Sequence, residues 1–157
     1  MLDFPDNQSS RTGDLITMLQ QTGPLVCDVL EGKDPRIISI KSNILATQAA
    51  NLMATERVGI IIVVDDEGMF CGILSERDIV RAFGRFGAKA AQVTVGDIAT
   101  RNVTACVTET SLARVQSLMK EGGFRHMPVV EEGRVKGIIS IGDILGYQAR
   151  REQQAAE

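Results

Sequence analysis

Two short segments of this chain place a carboxylate three residues after a hydroxyl: Ser75-Glu-Arg-Asp78 and Ser140-Ile-Gly-Asp143. Each follows an apolar stretch and opens a helical pattern. Each serine therefore stands at a strand-to-helix junction and is a natural N-cap. The first N–H groups of such a helix have no intrahelical partner. Together with the helix dipole they favour a phosphate or another anion. An aspartate one turn in can accept two hydrogen bonds from the paired hydroxyls of a ribose, as acidic side chains do in other nucleotide folds. The same pattern also has a purely structural reading. It is close to the capping box, in which two side chains satisfy the helix start. Both roles can coexist in one protein.

Arg125 and His126 form the second polar feature, just before an apolar strand. An arginine offers a fork of donors that fits a phosphate and stays charged. His126 is the one histidine of the chain. It suits a structural hydrogen bond or a ligand contact, and the sequence leaves both open. Arg77 stands between Ser75 and Asp78, where the second segment has Gly142. It can fold toward an anion or point to solvent. Arg77, Arg81, Arg85 and Lys89 recur at helical spacing and read as a solvated helix face.

These residues sit on elements that occur twice. GILSERDIV (72–80) and GIISIGDIL (137–145) share Gly, Ile, Ser, Asp and Ile in the same places. Internal repetition of this kind is read before any single element. Upstream, the stripe Ile44, Leu45, Ala49, Leu52 and Met53 corresponds to Leu112, Val115, Leu118 and Met119. An apolar strand follows each helix, Ile60–Val64 and Met127–Val130, and each strand leads into a turn. Each half reads as strand, helix, strand, turn, strand, helix. The first half predicts a strand over Ile37–Ile40, a helix capped at Ser42 or Asn43, strands Ile60–Val64 and Phe70–Leu74, and a helix from Ser75 to about Phe83. The second predicts Val103–Val107, Thr110–Glu121, Met127–Val130, Val135–Ile139 and a helix from Ser140. A β-α-β-β-α unit this small needs its twin to complete a core. The fold class is α/β (α+β), with two repeats packed as a pseudo-two-fold pair. The expected division is an N-terminal extension over 1–22, repeat 1 over 23–84, a linker over 85–96, and repeat 2 over 97–150 with a helical tail to 157. Residues 1–12 are polar and expected to be loose, and Asp14–Gln21 can form a short amphipathic helix.

An apolar strand, a helix ending in Leu-Met, and then G-h-h-S-x-x-D, twice in register, resembles the CBS domain, named after cystathionine β-synthase. GILSERDIVRAFGRFG, FRHMPVVEEG and GIISIGDIL resemble small bacterial proteins built of one CBS pair. The resemblance covers about residues 24–150. It implies two sheets face to face and a cleft between repeats that takes AMP, ADP, ATP, NAD or S-adenosylmethionine. It further implies a regulatory protein that is not an enzyme, a homodimer of pairs, and a regulated partner acting in trans. By the same resemblance, Ser75, Asp78, Ser140 and Asp143 contact ribose and phosphate, and Arg125 and His126 contact phosphate. Ile60, Ile61, Met127 and Pro128 flank the adenine or are simply core. Residues entering each first strand also contact the ligand in relatives; here those are Lys33 and Ser39 in the first half, with Thr100 and Ala105 in the second. Ala105 stands where relatives carry threonine. The first half has Gly59, Ile60 and Asp34 where the second has Arg125, His126 and Thr100, so two unequal sites are expected. AMP is the first choice of ligand and NAD or NADH the second, in an energy or redox sensor.

Composition bounds the alternatives. The 157 residues are 44% hydrophobic and 24% charged, with a net charge of −3. That balance gives no support to general nucleic-acid binding, which needs a concentrated basic surface. The longest apolar run, Val58 to Val64, falls far short of the ~20 residues of a membrane helix. The N-terminus lacks the pattern of a secretory signal. Cys27, Cys71 and Cys106 are odd in number and lack a CxxC pair, which suits reduced thiols in the cytoplasm and no metal site. Two other readings remain. One is a protein-interaction scaffold with decayed pockets. The other is a small NAD-using enzyme, for which G-x-G-x-x-G, a P-loop and a metal cluster are all missing.

Overall fold

The computed structural model describes residues 23–157. The segment Asp14–Gln21 and residues 1–12 lie outside the described residues. The elements in chain order are α1 (Val26–Glu31), β1 (Ser39–Lys41), α2 (Ala46–Glu56), β2 (Ile60–Val64), β3 (Phe70–Ser75) and α3 (Glu76–Phe86). A 3-10 turn (Gly87–Gln92) and α4 (Val95–Ile98) follow. Then come α5 (Leu112–Gly122), β4 (His126–Glu131), β5 (Arg134–Ser140) and α6 (Ile141–Ala155). The chain is a mixed α+β fold of helices on two small sheets.

In the first half, β1 runs parallel to β2, and β2 pairs antiparallel with β3, setting Ile60 opposite Ser75. In the second half β4 pairs antiparallel with β5, setting His126 opposite Ser140. The registers match, so Ile60 and His126 hold equivalent places beside their serines. The expected strand Val103–Val107 shrinks to a single parallel bridge between Cys106 and Val129. The N–H of Cys106 donates to the Pro128 carbonyl at 3.0 Å, and its carbonyl accepts from Val130 at 2.8 Å. The ladder stops there because its neighbours are engaged elsewhere. The Val103 N–H turns to the Arg101 carbonyl, and the Val107 N–H goes to the Thr110 hydroxyl at 3.1 Å. The first helix of repeat 1 starts later than expected. Ile44 N–H bonds back to the Lys41 carbonyl in a turn, and Leu45, not Ser42 or Asn43, occupies the N-cap. Helix α3 passes through Gly84 and stops at Gly87, whose φ of 58° with ψ of −135° is a combination that favours glycine.

The two cores are exchanged at their edges. Helix α1 precedes repeat 1, yet Val26 and Val29 lie in the core of repeat 2 with Leu112, Val115, Met127, Ile139 and Ile144. The N–H groups of Val26 and Cys27 donate to the carbonyls of Thr110 and Thr108 at 2.8 and 2.9 Å. Helix α4 precedes repeat 2, yet Val95 lies in the core of repeat 1 with Ala49, Met53, Ile61, Val63 and Leu74. Its Val95 and Gly96 N–H groups donate to the carbonyls of Ile44 and Ser42, both at 2.8 Å. Each half therefore completes its core with the helix that leads into the other half. This exchange brings the lead-in of one repeat against the S-x-x-D helix of the other.

Candidate functional site

Ser140 caps α6 in extended conformation, and its hydroxyl accepts from the Asp143 N–H at 3.0 Å. The Asp143 carboxylate accepts in return from the Ser140 N–H at 2.9 Å. Ser75 and Asp78 repeat this at the start of α3, with 3.2 and 2.9 Å. Both segments thus form capping boxes, as the structural reading of the motif requires. They differ in what the other repeat brings to the aspartate.

Asp78 is closed in. The Thr100 hydroxyl donates to it at 3.2 Å, and the Ser75 hydroxyl lies 3.0 Å away. The backbone of Thr100 exchanges two hydrogen bonds with Ile73 of β3, at 2.9 and 3.0 Å. The approach is so close that a Cβ on Gly72 would sit 2.3 Å from the Thr100 carbonyl oxygen. Asp78 is left 7% exposed.

Asp143 is open. Its partner is the Lys33 ammonium, 2.7 Å from the carboxylate and 2.7 Å from the Ile138 carbonyl. Burial pushes the Asp143 carboxyl up, but the hydrogen bonds from Lys33 and Ser140 outweigh it and hold the pKa below the usual value. Beside this pair lies a cleft of about 420 Å³ between the repeats. Repeat 1 lines it with residues 33–38 and 57–60, and repeat 2 with His126 and residues 136–138 and Ser140. Its apolar wall includes Ile38, Val58, Ile60 and Ile138. Its rim carries Lys33, Arg36, Arg57 and Lys136 against one lining carboxylate, Asp34. Arg36 is paired with Glu56 at 2.6 Å, while Arg57 and Lys136 form no salt bridge among the described residues. A chain of net charge −3 thus concentrates positive charge in one cleft. His126 lies on its wall. Desolvation of the ring, then the Lys33 ammonium, push its pKa below the ordinary histidine value, with Arg125 adding to them and Asp143 opposing.

Arg57 reaches the cleft from an unusual backbone. It is the residue after α2, with φ 56° and ψ 45°, the left-handed region. The matching residue after α5 is Gly123, with φ 67°. A side chain in this conformation costs about 1 kcal/mol, and glycine is the usual occupant. The departure puts a cationic residue in the cleft lining.

Of the residues singled out by the sequence, the cleft gathers Lys33, Ile60, His126 and Ser140, with Asp143 bound to Lys33. Ser75, Asp78 and Thr100 meet at the closed counterpart. The sequence groups Thr100 with Arg125 and His126 of the second half; the structure sets it against Asp78 because the lead-ins are exchanged. Ile61 and Met127 are fully buried in the two cores. Pro128 is buried in β4, with its carbonyl engaged by Cys106. Ser39 is exposed on β1, opposite Ile62. Arg77 is exposed on α3, and Arg125 is exposed and outside the cleft lining. Sequence reasoning missed Arg36, Arg57 and Lys136. Arg57 breaks the glycine rule for helix ends, and the other two carry no signal beyond their charge. Among the described residues no three His, Cys, Asp or Glu side chains cluster as metal ligands, and no helix is long and apolar enough to cross a membrane.

Comparison with known proteins agrees with this geometry. The CBS-domain family model matches twice, over residues 27–85 and 95–150. The chain belongs to the CBS-domain family. It is 34% identical to the CBS-domain containing protein ATU1752 of Agrobacterium tumefaciens, whose crystal structure superposes with a TM-score of 0.74 over 80% of this chain and 99% of that one. The CBS domain pair of protein MJ0100, in complex with 5′-methylthioadenosine and S-adenosylmethionine, is 27% identical, with a TM-score of 0.69 over 79% of this chain and 98% of that one. CBSX2 in complex with AMP shares the fold at 24% identity and a TM-score of 0.71, over 83% of this chain and 99% of that one. A CBS domain-containing protein of Arabidopsis thaliana, CBSCBSPB1, is 29% identical over 78% of this chain, which spans 22% of that protein's length. A 17.7 kDa protein of Acidianus ambivalens is 29% identical over 69% of this chain, which spans 65% of that protein.

Proposed function

We propose that this CBS pair is a non-catalytic regulatory module that binds an adenine nucleotide in the cleft between its repeats. The observation that carries the proposal is an apolar wall and a set of cations around 420 Å³ of space, with the Lys33–Asp143 pair at its edge. The size lies within the range of small-molecule sites. Asp143 at the α6 N-terminus takes the sugar hydroxyls. Ile38, Ile60 and Ile138 flank the base. Arg57, Lys136 and His126 take the phosphate. The adenosine compounds bound by MJ0100 and the AMP bound by CBSX2 support the ligand class. AMP is the first choice, because one phosphate suits the two unpaired cations. NAD or NADH is the second, and either would make the protein a sensor of energy or redox state, acting in the cytoplasm on a partner in trans.

Calorimetric titration with AMP, ATP, NADH and S-adenosylmethionine tests the reading. Saturable binding of at least one is expected, and no binding of any at millimolar concentration sinks it. The change that a ligand induces is limited by its preference for one state of the protein over the other.

A self-associated form is proposed on a separate observation. Val80 and Leu145 hold the same place on the last helices of the two repeats and are 70% and 54% exposed, with Phe83 at 51% beside the first. Exposed apolar side chains that recur on matching faces suit an interface between copies. Sedimentation should give twice the chain mass, and V80E/L145E should give the single mass.

A further inference from the structure

Lys33 already holds what a nucleoside would need. Its ammonium lies 2.7 Å from the Ile138 carbonyl and 2.7 Å from the Asp143 carboxylate. In the other half the equivalent acceptors are taken by Thr100: its N–H bonds the Ile73 carbonyl, and its hydroxyl bonds Asp78. There the occupant is backbone, pinned by two hydrogen bonds to β3. Here it is the end of a flexible side chain, about one-third exposed, which can swing away without moving the fold.

Withdrawal has a condition. An ammonium that leaves Asp143 gives up its ion pair to water unless another anion replaces it. Among the described residues lining the cleft, Asp34 is the one other carboxylate, and it already accepts from the Arg36 N–H at 2.9 Å. The remaining charged residues of the lining, Arg36, Arg57 and Lys136, are cations, and the nearby Glu56 carboxylate is taken by Arg36. A neutral nucleoside that takes Asp143 therefore strands the ammonium among like charges. A phosphorylated nucleoside brings the anion with it.

We propose that Lys33 is a displaceable plug of the cleft, and that its need for a replacement anion makes the site select phosphorylated over unphosphorylated nucleosides. The inference rests on the cleft binding a nucleotide. Its substance is a coupling: the same side chain blocks the sugar subsite in the empty protein and rewards the phosphate in the filled one.

Titration of AMP and adenosine into wild type, K33M and K33Q tests this. Gln keeps a donor for the Ile138 carbonyl, so K33Q guards against a variant that fails to fold. In both variants adenosine should bind about tenfold more tightly than in wild type, the scale of one lost charge-assisted hydrogen bond. AMP affinity should change less, so the preference for AMP shrinks. An unchanged AMP-to-adenosine ratio overturns the proposal. So does a loss of AMP affinity with adenosine unchanged, which would make Lys33 a plain phosphate contact. Wild type that binds neither compound overturns this inference, and the nucleotide reading falls with it only if ATP, NADH and S-adenosylmethionine also fail to bind.

Discussion

Asp78 and Asp143 occupy the same position in two repeats, yet they keep different company. Asp78 is buried against Thr100, and Asp143 faces a cleft through Lys33. Their substitutions should separate stability from binding. Asp78→Ala removes a capping box and strands the Thr100 hydroxyl, so it should cost about 2 kcal/mol in urea denaturation. It should leave ligand binding at the open cleft intact. Asp143→Ala should abolish the thermal shift given by AMP, which for wild type approaches about 2.7 kcal/mol at a hundredfold excess over Kd. The pH dependence follows from the same contacts. The folded pKa of Asp143 is held below its ordinary value of 3.8. Its stabilising contribution is therefore complete above that value and is lost as pH falls through the lower folded pKa. Asp143→Asn should flatten the acid limb of a stability-versus-pH curve below about pH 4. An unchanged limb would contradict the Lys33 pairing.

At the scale of elements, helix ends and strand approaches carry the asymmetry. Arg57 lines the cleft from a left-handed backbone where the other repeat has Gly123. Arg57→Gly should raise stability by about 1 kcal/mol while weakening nucleotide binding. A variant that gained stability with full affinity would remove Arg57 from the site. Gly72 lets the Thr100 backbone lie on β3, and an added Cβ would meet the carbonyl oxygen at 2.3 Å. Gly137 meets only the Leu30 side chain, at 3.0 Å. Gly72→Ala should therefore cost about 1–3 kcal/mol, and Gly137→Ala less, since a flexible side chain can give way. Equal costs in urea denaturation would contradict this account of how the two lead-ins differ.

Each core borrows a helix from across the repeat boundary, so the two repeats should unfold as one cooperative unit. Ile61→Ala and Met127→Ala lie in different cores and should each cost about 2–5 kcal/mol. Both should lower a single unfolding transition, seen alike by circular dichroism and calorimetry. Two separate transitions would contradict the exchange. The duplication itself was legible, since Gly, Ile, Ser and Asp recur in fixed places with a chemical reason for each. The exchange was not. Helices α1 and α4 span six and four residues, too short for a periodic signal. The pairing of Lys33 with Asp143 joins residues 110 positions apart, and no spacing rule reaches that far. The shortened strand around Cys106 was also hidden, because its apolar pattern says nothing of where the flanking N–H groups are engaged.

The central claim is that a nucleotide occupies the open cleft and is held by Asp143. Calorimetric titration of AMP into wild type, Asp143→Ala and Asp78→Ala tests it most directly. The account predicts saturable binding to wild type and to Asp78→Ala, and none to Asp143→Ala. Binding that survives Asp143→Ala and is lost in Asp78→Ala would contradict it, as would a wild type that takes no nucleotide at all.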